Sequence, residues 1–178
     1  MSIFQWFKKR NKKETYVCPD CGQQHEGLPA LGFAEPFPYS ALSDEEKQSI
    51  ADIDDDFCVI RYPEQTDRFI RVTLTIPVND ACEDFDYGLW VSLSEKSFED
   101  YKADFLNSEE GKVYFGTICN HLPGYELSTI RLHVNVNTRA GNQRPLLVPH
   151  EGEHQLIADW EQGISWEEAR RRIALCQP

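Results

Sequence analysis

Residues 68–78 read RFIRVTLTIPV, and apolar side chains occupy every second position from residue 70 to residue 76. The apolar members are Ile70, Val72, Leu74 and Ile76. The polar residues between them are Arg71, Thr73 and Thr75. A period of two is typical of a strand that packs one face against a core and turns the other towards water. The stretch therefore predicts a strand of a sheet in which one face stays wet.

Strand-like segments also occur elsewhere in the middle of the chain. They are rich in β-branched and aromatic residues, and they are 57–62, 87–93, 113–119 and 129–136. In the last of them the alternation runs through the whole segment, so a strand is predicted from Thr129 onwards. The pattern contains no regular exchange of strands and helices, which favours a mainly antiparallel sheet over a parallel one.

Helix signals lie at the flanks of these strands and once between them. Ser43 with Glu46, and Ser165 with Glu168, have the spacing of a capping box. The predicted helices are 43–52, one that begins at Ser94, and two after His154 that separate at Gly163. Strands in the middle with helices around them indicate an α+β fold with a mainly antiparallel sheet and flanking helices.

Length and charge limit the class of protein. With 178 residues, one domain is the default. Lys and Arg number 18 against 30 Asp and Glu, a formal charge of −12, which argues against nucleic acid as a partner. Residues 1–13 carry five basic residues and no acid, so 14–178 hold −17. We predict a basic, aromatic flexible tail over 1–13 and a single α+β domain over 14–178.

The tail combines aromatic and basic residues. Phe4, Trp6 and Phe7 precede the basic cluster of 8–13, an order and length that do not fit a signal peptide. No run approaches the roughly 20 apolar residues that a transmembrane helix needs. These features predict a cytoplasmic protein without a transmembrane segment. A weak peripheral contact of the tail with an anionic membrane surface is the alternative to a frayed terminus.

The strongest local motif is Cys18-Pro-Asp-Cys21-Gly, a Cys-x-x-Cys knuckle. Two thiolates at this spacing supply half of a tetrahedral zinc site, and in a reducing compartment metal binding is favoured over a disulfide. The motif predicts one structural zinc per chain, against a redox pair or unliganded thiols. The spacing leaves the other ligands open among His25, His150, His154, Cys58, Cys82, Cys119 and Cys176.

The sequence His150-Glu-Gly-Glu-His154 has the letters of the metalloprotease H-E-x-x-H motif. Its context is poor, because Pro149 precedes it and Gly152 weakens the helix that the motif requires. A solvated turn, in which at most one His reaches a metal, is the preferred interpretation. No G-x-S-x-G, P-loop or G-x-G-x-x-G motif is present, so no catalytic residue is predicted.

Several blocks together resemble the bacterial domain of unknown function 2199 family over roughly residues 16–170. They are Cys18 to Cys21 with His25, YGLWVSLS at 87–94, Arg144-Pro145, and His154-Gln-Leu. The resemblance implies that two Cys, a following His and a His near the C-terminal end form a metal site, here Cys18, Cys21, His25 and His154. The family usually has Pro after that last His, where this chain has Gln155. No activity follows from the resemblance.

Two classes of function remain. The first is a zinc-stabilised acidic bacterial protein that acts by binding, by an immunity- or inhibitor-type contact with a basic protein partner. The alternative is a zinc-dependent hydrolase in which Cys18, Cys21 and one His leave an open metal position and Glu151 or Glu153 acts as base. Four protein ligands would indicate the first class, and three ligands with water the second.

Overall fold

A computed structural model describes residues 15–17, 24–81, 83–107, 111–141 and 143–176. The predicted tail, 1–13, lies outside the described residues. The strands are β1 Thr15–Val17, β2 Gln24–Glu26, β3 Leu31–Gly32, β4 Ala51–Ile53, β5 Phe57–Arg61, β6 Thr66–Ile76, β7 Phe85–Leu93, β8 Val113–Ile118, β9 His133–Asn137 and β10 Leu146–Pro149. The helices are α1 Phe37–Ser40, α2 Asp44–Ile50, α3 Glu95–Asp104, α4 Gln155–Gln162 and α5 Trp166–Cys176.

Five strands close into a barrel. β6 to β10 follow one another in antiparallel pairs, and β10 returns to β6 in a parallel pair with Leu146 opposite Thr73. An odd number of strands that alternate in direction must close with one parallel pair. The predicted α+β class and the mainly antiparallel pairing are confirmed, but the predicted flanked sheet needs correction, because five of its strands close into a mixed barrel.

Strand β10 explains why the closure was not foreseen. It has only four residues, ends on Pro149 and follows Pro145, so it gave no strand signal in the sequence. The long strand β6 makes room for it: the first half of β6 pairs with β5, and Thr73 lies opposite Leu146 of β10 farther along. Strands β5 and β10 therefore pair with different parts of the same edge of β6.

The predicted alternation in β6 is confirmed. Ile70, Val72, Leu74 and Ile76 are all fully buried. On β7, Trp90 points to the opposite side from Tyr87 and Leu89, into a second cluster of buried residues with Cys58, Ile60, Phe69 and Cys119. The molecule therefore has a main core, which includes the inward side chains of the barrel, and a smaller core that α1, α2 and β4 cover with Tyr39, Ile50 and Ile53.

The strand predicted from Thr129 begins later, at His133. Arg131 has a φ of 69°, which interrupts an extended chain. The buried hydroxyl of Thr129 donates to the Asn120 carbonyl oxygen at 2.7 Å and accepts from the Leu122 N–H at 3.0 Å. These hydrogen bonds anchor Thr129 to the 120–122 segment, and the Leu132 N–H donates to the Thr129 carbonyl oxygen at 3.3 Å, which closes a turn over residues 129–132 in place of a strand.

The predicted helix starts agree with the structure, but the first helix, predicted to residue 52, ends at Ile50, because β4 begins at Ala51. Ser43 and Glu46 form both hydrogen bonds of the capping box at the start of α2, and Ser94 caps α3. Gly163, with a φ of 76°, separates α4 from α5. Beside this glycine, the Ile164 N–H donates to the Pro77 carbonyl oxygen at 2.8 Å, which attaches the helical pair to the end of β6. Within the described residues, every helix is too short or too polar to cross a membrane.

Candidate functional site: the Arg172 cleft

The four predicted metal ligands are described to different extents. Cys18 and Cys21 lie outside the described residues. His25 lies in β2, with its backbone opposite Tyr16, and His154 precedes α4. In the part of the chain that is described, no three His, Cys, Asp or Glu side chains are grouped to hold a metal. The four-ligand zinc site therefore stays a prediction.

The remaining cysteines of the predicted ligand pool have other surroundings. Cys82 lies outside the described residues. Cys58 and Cys119 are buried free thiols, and burial raises their pKa values to about 12 and about 11. Cys176 is exposed near the end of α5. The two buried thiols have the character of small apolar core residues, since metal binding and nucleophilic attack require the thiolate.

Both ring nitrogens of His154 lie within hydrogen-bond distance of nearby backbone groups. Nδ1 accepts a hydrogen bond from the Leu156 N–H at 3.0 Å, which makes His154 the N-cap of α4. Nε2 lies 3.3 Å from the Leu127 carbonyl oxygen. A metal could bind the ring only by replacing one of these two hydrogen bonds.

The segment with the H-E-x-x-H letters is a bend between β10 and α4. The helix begins only at Gln155, after both histidines, so the two rings do not share a helix face. Nε2 of His150 lies 2.8 Å from Oδ1 of Asn135, and Glu151 and Glu153 are exposed. The bend agrees with the predicted solvated turn and lacks the helix of a metalloprotease site.

His154 borders a cleft of about 630 Å³ at the helical end of the barrel. The walls are the loop 124–127, residues 153–155, and side chains of α4 and α5: Asp159, Glu168, Arg171 and Arg172. We refer to this feature as the Arg172 cleft. Its size falls within the range of small-molecule binding sites, roughly 300–1,000 Å³.

The floor of the Arg172 cleft is a buried ion network. Nη2 of Arg172 donates to Oδ2 of Asp159 at 2.6 Å, and their side chains are 3% and 9% exposed. Nε of Arg172 donates to Oε1 of Glu168 at 2.7 Å, and Nη1 donates to the hydroxyl of Tyr125. The Arg172 guanidinium also lies 4.5 Å from the centre of the Tyr125 ring. Such a network is tolerated in a low-dielectric site because each charge has hydrogen-bonding partners.

Glu168 joins this network to the surface of α5. Nε and Nη2 of Arg171 donate to its carboxylate at 2.7 and 2.8 Å. These hydrogen bonds, together with those from Arg172, lower the pKa of Glu168 to about 2 against a partial opposing effect of burial. The carboxylate is therefore ionised at every pH at which the protein would ordinarily be studied.

We expect Glu168 to stabilise the fold above its unfolded pKa of about 4.5 and to lose that contribution as the pH falls towards 2. The difference in unfolding free energy between the wild type and Glu168→Gln should therefore shrink over this interval. Chemical denaturation at pH 7, 4.5, 3 and 2.5 measures it. Glu167→Gln, on the exposed neighbouring position, is the control. A constant difference across the series would contradict the prediction.

Two tyrosines lie against the network. Burial raises the pKa of Tyr125 well above its usual range, and Arg172 acts in the opposite direction. Burial also raises the pKa of Tyr87 to about 12, again opposed by Arg172. The Tyr87 hydroxyl is completely buried and lies close to Arg172.

Sequence reasoning did not find this cleft. Glu168 was noticed only as part of a capping box, and the Glu168 N–H does donate to the hydroxyl of Ser165 at 3.1 Å. The one available signal was the i, i+4 spacing of Glu168 and Arg172. Asp159 lies on a different helix, 13 residues earlier, and no local pattern connects it to Arg172.

The fold and the cleft define a class: an α+β protein with a five-stranded mixed barrel and a polar cleft at its helical end. Residues 17–164 match the model of the family described as "Uncharacterized protein conserved in bacteria (DUF2199)". The chain belongs to this family, which confirms the resemblance in the sequence. Asp159 lies inside the matched range and Arg172 beyond it. No curated protein and no solved structure matches the chain.

Proposed function

We propose that this protein is a zinc-stabilised binding protein that acts by contact with a basic protein partner. The observation that supports the proposal most directly is the charge of residues 35–56, which hold eight acidic residues and one lysine. This segment contains α2, β4 and the turn into β5. We call it the acidic end.

The acidic end projects beyond the barrel. Strand β4 is the last in the strand order and pairs only with β5 among the described strands. Asp44 and Glu45 lie exposed in the first turn of α2, and Asp55 lies exposed in the turn before β5. An edge strand surrounded by charge is protected from pairing with other chains, so the same charges suit transient docking and oppose aggregation.

Some acids of this segment have structural roles and are poor choices for mutation. Oδ1 of Asp54 accepts from the N–H groups of Asp56 and Phe57, at 2.9 and 2.7 Å. Oδ1 of Asp56 accepts from Nε of Arg144 at 2.7 Å. A variant that neutralises these two would change the fold and the charge together.

The partner proposal is tested with Asp44→Asn/Glu45→Gln/Asp55→Asn. Affinity capture from the native host should return a basic protein, and the triple variant should bind it with an on-rate about three-fold lower or more at low salt. The difference should vanish as salt shortens the Debye length from about 10 Å at 0.1 M to about 3 Å at 1 M. Stopped-flow or surface-based kinetics measures both.

The control variant is Glu64→Gln/Asp84→Asn/Glu161→Gln, which removes the same charge from exposed positions outside the acidic end. Equal on-rates for the two triple variants would contradict the role of the acidic end. A purified protein that hydrolyses a substrate and loses this activity in Glu151→Gln would instead favour the hydrolase alternative.

The zinc proposal is supported by the chain around the knuckle. Strands β1 and β2 pair antiparallel with Val17 opposite Gln24, so the ends of the segment that contains Cys18 and Cys21 lie side by side. Cys-x-x-Cys thiolates held between paired strands suit a tetrahedral metal. Metal bound there would add its binding free energy to folding.

We expect one zinc per chain in protein purified without chelator, and loss of the metal with lower stability in Cys18→Ser or Cys21→Ser. Metal analysis and thermal melting measure the two effects, and Cys176→Ser is the control. His154→Asn separates the two roles of His154, since Asn can still cap a helix but removes the imidazole. Zinc retained in His154→Asn would exclude His154 as a ligand, and no zinc in the wild type would contradict the site as a whole.

A further inference from the structure

Two histidines lie side by side on the outer surface of the barrel. His133 begins β9, and His150 directly follows β10. The His150 N–H donates to the His133 carbonyl oxygen at 3.0 Å, which continues the antiparallel pairing of the two strands by one residue. Residues directly opposite each other in such a pair have neighbouring side chains. The centres of the two imidazole rings are accordingly 6.3 Å apart, and neither ring belongs to the walls of the Arg172 cleft.

Both histidines border a second cavity, which has a volume of about 400 Å³. The cavity lies between the barrel and the bend that precedes α4. Its walls carry the carboxylates of Glu151 and Glu153 against one guanidinium, that of Arg131. A cavity with imidazole nitrogens and an excess of negative charge has room for a hydrated cation and favours it over an anion.

The spacing of the two rings fits coordination of one metal ion by both. Zinc binds an imidazole nitrogen at about 2.0–2.1 Å, which, with the radius of the ring, puts the ion about 3.2 Å from each ring centre. Two rings that share an ion therefore have centres at most about 6.4 Å apart, and about 5 Å apart in a tetrahedral arrangement. The observed 6.3 Å lies inside this limit. His133 is exposed, so rotation of its side chain reaches the shorter spacing without a change of the backbone.

A second observation is the hydrogen bond that orients the His150 ring. Nε2 of His150 lies 2.8 Å from Oδ1 of Asn135. An amide oxygen only accepts hydrogen bonds, so Nε2 carries the proton and Nδ1 of the neutral ring keeps a lone pair for a metal. Histidines that bind metals regularly donate their second N–H to an oxygen in this way, which fixes the tautomer and the orientation of the ring.

An aromatic ring covers one side of the pair. Phe115 of β8 is 55% exposed, and its ring centre lies 5.2 Å from that of His133 and 5.6 Å from that of His150. Contacts of this kind stabilise the two imidazoles by packing alone. An apolar group beside a metal site also limits the access of water. Phe115 therefore holds the two rings together and shields them on one side.

From this geometry we infer that His133 and His150 form a site for a divalent transition metal ion, with Asn135 as the residue that positions His150. Imidazole ligands are typical of zinc, nickel and copper sites. The described residues offer no third His, Cys, Asp or Glu ligand there, so water or an added ligand fills the other coordination positions. The inference goes beyond the proposed function, because the structural zinc proposed there depends on Cys18 and Cys21.

The probe is Ni²⁺, added to the full chain without an affinity tag and after zinc loading. Ni²⁺ is paramagnetic and broadens the NMR signals of nearby nuclei, so backbone amides report where it binds. We expect broadening of the amides of Val134 and Glu151, which adjoin the two histidines, and a sharp amide signal of Gln24, which lies near the knuckle. The position of the broadening is read independently of zinc at Cys18 and Cys21, so failure of the proposed function would leave this result interpretable.

Replacing either histidine should weaken the binding of Ni²⁺, measured by isothermal titration calorimetry. His133→Gln and His150→Gln should each reduce the affinity about ten-fold or more, because two ligands held side by side bind an ion more tightly than either alone. His121→Gln removes an exposed histidine outside the site and should leave the affinity unchanged. Asn135→Val should also weaken binding, and Asn135→Asp should restore it, since a carboxylate accepts the same N–H.

Two results would overturn the inference. The first is an affinity for Ni²⁺ that stays the same in His133→Gln and His150→Gln, which would leave the two rings as packing groups on Phe115. The second is broadening confined to the amides of β2, which would place the ion at the knuckle.

Discussion

Replacing Asp159 with alanine is expected to lower the free energy of unfolding by about 3–5 kcal/mol. Its side chain is 9% exposed and that of its partner Arg172 is 3% exposed. The substitution leaves the guanidinium buried with only Glu168 as an ionic partner on the described side chains, and the hydrogen bond from Gln155 at 2.7 Å is lost as well. Urea denaturation followed by tryptophan fluorescence measures the change.

A second variant separates two contributions to stability: the penalty of leaving Arg172 without Asp159, and the net stabilisation that the Asp159–Arg172 ion pair provides. Asp159→Leu/Arg172→Met removes both charges and refills the space with apolar groups, so it should recover most of the stability lost in Asp159→Ala. Glu161→Ala, on the exposed face of the same helix, should change stability by less than about 0.5 kcal/mol. An Asp159→Ala protein as stable as Glu161→Ala would show that the network contributes nothing to the fold.

The second large effect is expected at Gly163, where α4 ends. Its φ of 76° and ψ of 170° lie in a region that is almost restricted to glycine. A Cβ there would meet the Pro77 carbonyl oxygen at 2.9 Å and Oδ1 of Asn79 at 2.4 Å. Gly163→Ala should therefore lower the free energy of unfolding by about 3 kcal/mol, because of backbone strain and the clash with the end of β6.

Gly141 provides a matched control for this substitution. Its φ is 73°, almost the same as that of Gly163, but apart from its chain neighbours no atom of the described residues lies within 4 Å of the position that a Cβ would take. Gly141→Ala should lower the free energy of unfolding by only about 1 kcal/mol, because backbone strain is then the sole contribution. If both alanine variants unfold at the same denaturant concentration, the contact between Gly163 and residues 77–79 has no energetic importance.

Local pattern predicted the elements of this fold better than their arrangement. Alternation identified the buried face of β6, and capping residues located the starts of α2 and α3. Closure of the barrel depends on a four-residue strand that pairs with a residue 73 positions away, and no local signal encodes such a contact. The strand predicted from Thr129 was wrong over residues 129–132 for a related reason. The hydroxyl of Thr129 forms hydrogen bonds with Asn120 and Leu122, and the alternating sequence does not reveal these contacts.

The candidate site was predicted only where its chemistry lies in adjacent residues. A Cys-x-x-Cys motif is visible in four residues, and His154 was selected by resemblance. The ion network of the Arg172 cleft combines Tyr125 from a loop, Asp159 from α4 and Arg172 from α5, which meet only after the helices have packed. Buried charges supplied by distant segments become recognisable as a site once their partners and exposure are known.

The parallel pairing of Thr73 with Leu146 has a consequence for how the chain is made. Because the ring cannot close before residue 146 has left the ribosome, the first four barrel strands emerge with two edges unsatisfied, those of β6 and β9 that β10 later joins. Helices α4 and α5, which bring Asp159 and Arg172 together, are synthesised later still. Long-range closure of this kind is slow relative to local helix formation. The nascent chain thus passes through a stage at which the open edge of β6 is available to chaperones, or to the matching strand of a neighbouring nascent chain.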